Sequence, residues 1–438
     1  MERTPRITLP PRIAPLRRLP GDRLLGSIAI VGVLLGAVFG PNLSQPTGGS
    51  GGGGSALRQS LYLLTFMIAI ASIRPWQSPA RLLVLPLSMI AILAWSLFSI
   101  SWSAGPAAAL RRFLLTAIVI WTVFLAVRCA GYDRTILLFR RVMIAILVGN
   151  LLAVTLLPGV AIHQAATVTD PGLIGAWRGL LAQKNFAGAV AAVTILLFFF
   201  DASHMSRYMR WGTITLSILF LLGTQSKTSM GICLGALAIG WLFGRYNPGY
   251  RLFFLPALLI LGAGAFVLID MEGGAVIDHF MRDRYAFTGR VEIWIPLIEF
   301  ASDNPFTCSG YGSFWNIGDE REQIKDYATG WITAQASGHN GFLDVLVQVG
   351  LPGLFLVLLA YLIVPLWCLI TSQTIARPTA SLLMALIFFC IGHNATESSL
   401  LDRDVTVHVF LLFTIALVHL TTKPRPRQSG VSGYPALG

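Results

Sequence analysis

Long apolar runs separated by short polar joints make up most of this chain. They lie near residues 24–40, 56–73, 82–100, 110–127, 141–157, 185–200, 211–223, 229–244, 252–269, 343–370, 379–393 and 405–421. Most approach the roughly 17–25 residues with which an α-helix crosses a hydrocarbon core about 30 Å thick. The run at 211–223 is short and that at 185–200 marginal, so one of them is open to a re-entrant reading. The pattern predicts an all-α, polytopic integral membrane protein with about twelve transmembrane helices. One interval breaks the rhythm. Residues 271–341, between the ninth and tenth runs, form a long hydrophilic stretch in which acids outnumber bases. A structureless loop of that length is unusual, so the stretch is expected to fold over the bundle. Within it Val291, Trp294, Ile295 and Ile298 recur at helical spacing, and Asn304-Pro305 and Gly310-Tyr311-Gly312 then break the chain. This predicts an amphipathic helix on the membrane surface followed by a glycine-rich turn.

Composition excludes a soluble domain. The chain is 55% hydrophobic and 12% charged, about half the charge of an ordinary soluble protein, and its mean hydropathy is +0.70. The formal net charge of +12 is mainly a topology signal. The N-terminal arm carries Arg3, Arg6, Arg12, Arg17, Arg18 and Arg23 and lacks a clear small-residue cleavage site. The first run is therefore expected to be a retained span with its N-terminus in the cytoplasm. Lys and Arg are more numerous in the loops on that side, which puts residues 271–341 outside. The expected organisation is a cytoplasmic basic arm at 1–23, spans one to nine at 24–270, an extracytoplasmic catalytic loop at 271–341, spans ten to twelve at 342–421 and a cytoplasmic tail at 422–438. Basic residues are spread over many loops, so nucleic acid is not an expected partner. The cysteines suggest neither a disulfide framework nor a metal motif, and no two histidines have zinc-site spacing, so no metal or other cofactor is expected. Residues 48–55, GGSGGGGS, read as a flexible linker without assigned function.

Polar clusters gather on the expected outer face: WSAGPAAALRR at 102–112, AWRGLLAQKNFAG at 176–188, TQSKTSM at 224–230 and HNATESSLLDRD at 393–404. Each residue has an ordinary reading by itself. Arg111 and Arg112 can snorkel to headgroups, Lys184 and Asn185 can cap a span, Lys227 can sit in a polar connector, and His339 can be structural. Together, Arg111, Arg112, Arg178, Lys184, Lys227 and Arg290 run against the positive-inside tendency, and a polyanionic ligand at the outer leaflet would account for them.

The sharpest pattern is His339-Asn340, nine residues, Gly350, two residues, Gly353. It resembles the histidine motif of the O-antigen ligase and O-antigen polymerase superfamily of bacterial inner-membrane glycosyltransferases. Gly289-Arg290, with Trp294, Asn304-Pro305 and Gly310-Tyr311-Gly312, is similar to that family's outer-loop arginine motif. Where the ligases have a Ser-Arg element this chain has Ser226-Lys227-Thr228-Ser229, which keeps the charge and loses the bidentate fork. That departure, with Trp177-Arg178-Gly179, Lys184-Asn185 and Gly188, resembles the exopolysaccharide polymerase branch. The resemblance covers roughly residues 100–400.

The resemblance implies a metal-independent enzyme in the bacterial inner membrane with its active site facing the periplasm. It would take glycan from undecaprenyl diphosphate and transfer it to an acceptor hydroxyl, polymerising repeat units for exopolysaccharide or O-antigen. Membrane lipids, a chain-length regulator and export machinery are the implied partners. Arg290, Lys227, Arg111 and Arg178 are the expected diphosphate-binding cations, and Arg290 and His339 the expected catalytic pair. Two roles are open to His339: general base towards the acceptor hydroxyl, or cationic donor to the diphosphate. Asn340, Lys184 and Asn185 are expected to orient the histidine or bind substrate. Gly350, Pro352 and Gly353 are expected to kink the tenth span or let it pack closely, opening a lateral groove for the polyprenyl chain. The alternatives are ligation to lipid A core or protein, and transport of lipid-linked sugar without bond making. A transporter usually carries ionisable groups near the midplane, whereas these charges collect at the surface.

Overall fold

Apolar runs become helices throughout the computed structural model, which describes residues 20–41, 55–165, 171–254, 256, 289–318 and 322–422. In chain order these are α1 (Pro20–Phe39), α2 (Ala56–Ile73), α3 (Leu87–Ser99), α4 (Pro106–Ala130), α5 (Tyr132–Leu156), α6 (Lys184–Phe199), α7 (Arg207–Thr224), α8 (Lys227–Arg245), α9 (Arg290–Asp303), α10 (Gly341–Thr371), α11 (Arg377–His393) and α12 (Thr406–Thr422). Among the described residues, extended pairing is limited to a bridge between Ile162 and Trp177. The protein is an all-helical, polytopic membrane protein.

The twelve-span expectation is met in part. Among the described residues α1, α2, α4, α5, α8 and α10 are long and apolar enough to cross a membrane, and α3, α6, α11 and α12 are shorter apolar helices. The expected ninth span lies outside the described residues beyond its first few positions, as do the linker and most of both terminal segments. Helix α5 starts at Tyr132, well before the apolar run that predicted it. Its first turns are polar yet anchored: Arg140 donates from Nε to the Leu197 carbonyl at 2.9 Å and from Nη2 to those of Phe200 and Asp201 at 3.1 and 2.8 Å. Those carbonyls close the end of α6, where a helix leaves acceptors unpaired.

Several buried threonine hydroxyls inside the bundle are satisfied within their own helices. Thr65, Thr122, Thr194 and Thr414 each donate to the carbonyl four residues back, at 2.6–2.8 Å, because no water is available there to take the bond. Helix α8 packs antiparallel along α11, α1 along α2 and α4, and α6 along α7. The starts of α6, α8, α10 and α12 and the ends of α7 and α11 therefore share one end of the bundle.

Helix α10 is not straight. Gly350 has φ 69° and ψ −177°, a conformation that L side chains rarely adopt. A Cβ there would lie 2.3 Å from the Phe306 carbonyl oxygen. The break frees backbone groups, and the turn after α9 takes them up. Leu351 N donates to Pro305 O at 2.8 Å, and Ser309 donates to Val347 O from N at 3.0 Å and from Oγ at 2.8 Å. Trp95 Nε1 bonds Val349 O at 2.8 Å. A π-helical turn at Leu359–Ile363 interrupts the same helix lower down.

The 289–318 segment folds over the bundle as α9 and a turn with Gly310 and Gly312 at positive φ. The inward face differs from the expected stripe. Ile293, Leu297 and Phe300 are buried with Cys308, Phe314, Trp315 and Ile324 in a small separate core, whereas Ile295 and Ile298 are exposed. Apolar residues thus occupy two faces of α9, one towards this core and one outward.

Candidate active site

Four segments separated in the chain meet at the shared end of the bundle. Glu397, in the turn between α11 and α12, is their meeting point. Its Oε1 accepts from Arg290 Nη2 at 2.5 Å and from Asn185 Nδ2 at 2.6 Å. Its Oε2 lies 3.6 Å from His339 Nδ1, within ion-pair range and too long for a hydrogen bond. Burial by itself would raise the Glu397 carboxyl, but His339 and Arg290 outweigh it and hold the group below the ordinary carboxylate value. The side chain is 9% exposed, Arg290 15% and His339 32%, so the imidazole is the member of the group that remains accessible.

Local structure explains why each side chain arrives there. Gly289 at φ 79° turns the chain into α9 so that Arg290 is its first residue. One turn on, Trp294 Nε1 donates to Gly338 O at 2.9 Å. The buried Asp344 accepts from the Gly338 N–H at 3.0 and 3.1 Å and from Trp315 Nε1 at 2.8 Å. The turn before α10 is thereby held on both sides, and His339 within it takes φ 49°, a strained value for a non-glycine residue. Gly341 then lets the start of α10 touch the 394–397 turn. Its N–H donates to Asn394 O at 2.8 Å and Glu397 O at 3.0 Å, and a Cβ would lie 2.1 Å from Asn394 Oδ1.

The structure treats the expected site residues unequally. Arg290, His339 and Asn185 converge on Glu397. Lys227 is exposed at the start of α8, where Ser226 caps the helix and Thr228 Oγ1 bonds Thr396 Oγ1 at 2.9 Å, one residue from Glu397. Asn340 serves as the N-cap of α10, its Oδ1 accepting from Phe342 N at 3.1 Å and Leu343 N at 3.2 Å. Arg178 Nε donates to Val160 O at 2.9 Å and Lys184 Nζ to Gly172 O at 3.3 Å. Both lie beside His163, whose pKa is lowered by burial and by these two cations. Arg111 lines a separate cavity with Arg58, Arg112 and Arg403. The second His-Asn pair is buried: His393 Nε2 is 3.4 Å from Ser229 Oγ, and Asn394 Oδ1 accepts from Ser399 N at 2.9 Å. Among the described residues no group of three or more metal-ligating side chains occurs.

Sequence reasoning missed Glu397. An acid four residues after His393, in a polar cluster that also holds Asp402 and Asp404, was the available signal.

Residues 212–358 match the O-antigen ligase family. That interval contains Lys227, Arg290, His339, Asn340, Gly350 and Gly353, and it excludes Asn185 and Glu397. The chain is also 30% identical over 193 residues to the exopolysaccharide production protein ExoQ of Rhizobium meliloti (strain 1021). The match covers 41% of this chain and 43% of that protein, so the chain spans less than half the length of this curated relative. The resemblance read from the histidine and arginine motifs therefore holds across residues 212–358, where this polytopic membrane protein is similar to the O-antigen ligase family.

Proposed function

We propose that the protein is a twelve-span glycosyltransferase of the bacterial inner membrane, with its active site on the periplasmic face, that polymerises oligosaccharide repeats carried on undecaprenyl diphosphate. The observation that carries this reading is the convergence of Arg290, His339 and Asn185 on a buried, ionised Glu397. Similarity to a protein of exopolysaccharide production favours polymerisation over ligation. The description of the matching family favours the second reading, transfer of glycan to lipid A core or protein.

In the proposed reaction the acceptor hydroxyl oxygen attacks the anomeric carbon of the lipid-linked glycan. The bond from that carbon to the diphosphate oxygen breaks, and undecaprenyl diphosphate leaves with the electron pair. Arg290 and Lys227 stabilise the charge developing on the leaving group, as preorganised cations do when water is excluded, and no divalent cation is required. His339 takes the hydroxyl proton on Nε2, because Nδ1 faces Glu397. Glu397 holds the arginine and the imidazole in one arrangement, and Asn185 fixes the carboxylate.

The test uses purified protein in nanodiscs supplied with lipid-linked repeats. Arg290→Ala and His339→Ala should each abolish chain elongation without loss of folded protein, and Arg290→Lys should restore part of it because the fork is lost. Wild-type turnover by either alanine variant would refute the assignment. Product attached to lipid A core instead of to another repeat would move the reading to ligation.

A further inference from the structure

Arg251 is 1% exposed, yet most of its guanidinium has no partner. It lies in a short 3-10 turn, Pro248–Phe253, just beyond the end of α8. Its Nη1 reaches the Ser372 carbonyl only at 3.5 Å, beyond the ordinary range of a hydrogen bond, and its Cζ sits 4.7 Å from the centre of the Phe243 ring. Nε and Nη2 are buried and unpaired, and so is the hydroxyl of Ser372, the residue whose carbonyl Nη1 approaches. Burial lowers the Arg251 pKa and the positive charge of Arg377 lowers it further, but an arginine keeps its proton. A buried charge without a counter-charge is costly, and one aromatic face recovers only part of that cost.

The surroundings supply more positive charge and no negative charge. The ends of α8 and α10 and the start of α11 lie at the end of the bundle opposite the proposed active site. Gly244 lets α8 close onto Ser381 and the Arg377 carbonyl, so Arg251 and the exposed Arg377 share one corner. Among the described residues no carboxylate offsets the charge of Arg251. The outward surface at this corner is apolar and aromatic: Trp241, Tyr250, Leu252, Phe253 and Trp367 are all exposed. Tyr and Trp in such positions mark the headgroup level of a membrane-spanning bundle.

We propose that this corner binds the phosphate of an anionic phospholipid in the leaflet opposite the proposed active site. Basic recesses between transmembrane helices at headgroup depth suit such phosphates. The phosphate oxygens accept from Arg251 Nε and Nη2 and from the Ser372 hydroxyl, the groups that the fold leaves unpaired, and the exposed apolar residues meet the acyl chains. Two arginines without a carboxylate repel the cation of a choline headgroup, so the ligand is a lipid with net negative charge. The recess is closed on its outer side by one bond between exposed groups, from Gln373 Nε2 to Pro248 O at 3.3 Å, and the lipid enters when that side chain turns aside. Inorganic phosphate carries the same chemistry, and the experiment separates the two sources. The inference does not depend on the glycosyl-transfer reading.

Full-length protein in a neutral detergent is titrated with dioctanoyl phosphatidylglycerol, with dioctanoyl phosphatidylcholine and with inorganic phosphate, and apparent affinity is read from the rise in unfolding temperature. Wild type should bind phosphatidylglycerol about tenfold or more tighter than phosphatidylcholine, and inorganic phosphate more weakly than phosphatidylglycerol. Arg377→Gln, at an exposed position that the fold tolerates, should weaken phosphatidylglycerol binding roughly fivefold, the scale of one arginine beside an anionic lipid. Arg251→Gln should lose the preference for phosphatidylglycerol altogether. Arg207→Gln, an exposed arginine at the same end of the bundle on the start of α7, should behave as wild type. Equal affinity for the two lipids overturns the proposal, and so does an Arg377→Gln variant with the wild-type preference. Binding of inorganic phosphate as tight as that of phosphatidylglycerol overturns the assignment to a lipid. A loss in Arg207→Gln equal to that in Arg377→Gln overturns the site, because general surface charge then accounts for the binding.

Discussion

Replacing Glu397 with glutamine removes one charge and almost no volume, and the structure sets the size of the effect. The carboxylate is 9% exposed and its partner Arg290 15% exposed, with 2.5 Å between them. In Glu397→Gln the guanidinium stays largely desolvated without its counter-charge, and breaking one side of such a pair costs roughly 3–5 kcal/mol. Residual exposure of Arg290 argues for the lower end of that range. Thermal unfolding of purified protein in nanodiscs at pH 7 should show this loss, and elongation of lipid-linked repeats should fall with it. Glu397→Asp, which keeps the charge and shortens the reach, should recover most of the stability and only part of the activity. The pH dependence has a definite sign. Glu397 is held below its ordinary value of 4.5, so its contribution is complete above that pH and disappears as pH falls through the lowered folded-state value. The wild-type advantage over Glu397→Gln should accordingly stay level from pH 7 to 5 and shrink only in stronger acid. A glutamine variant that unfolds at the wild-type temperature and elongates at the wild-type rate would refute the role given to this carboxylate.

His339 can be assigned by a rate profile: a general base must be neutral, so the rate should rise as pH climbs through the range where histidine loses its proton, whereas a cationic diphosphate donor would give the opposite slope. His204→Ala, at an exposed position on the opposite side of the bundle, should leave that profile unchanged. Gly350→Ala should destabilise the fold by roughly 1–3 kcal/mol from backbone strain alone, with more from the contact at Phe306; unfolding at the wild-type temperature would contradict the kinked path of α10. Cys308 should resist thiol reagents in the native protein, because it is buried and burial pushes its thiol up to about 11. Trp331→Cys, at a half-exposed position, should react with an impermeant reagent in intact spheroplasts, and labelling only after lysis would reverse the proposed orientation.

The all-helical, membrane-spanning character of the chain and the polar end of the bundle were legible in the sequence because each depends on local composition. A run of apolar residues must satisfy its backbone internally, and helix is the local way to do so. The break at Gly350 was legible for the same reason, although only the structure shows that the turn at 305–309 takes up the freed groups. The N-cap role of Asn340 was also local in origin, since Asn before Gly341 and an apolar run is a start signal, but the histidine beside it drew the chemical reading instead. Glu397 lay beyond this kind of reasoning. Its partners Arg290 and Asn185 are 107 and 212 residues away, and which cation a carboxylate meets is decided by how helices pack. The same holds for the cations that part company. Arg111, Arg178 and Lys227 look alike in sequence, and their assignment to a cavity wall, to a carbonyl of the 160 turn and to an exposed helix start follows from the packing of α4, α6 and α8. Local hydrogen bonding and hydropathy act over a few residues and can be read from the chain, whereas the pairing of buried charges is a long-range property that exists only once the bundle has closed.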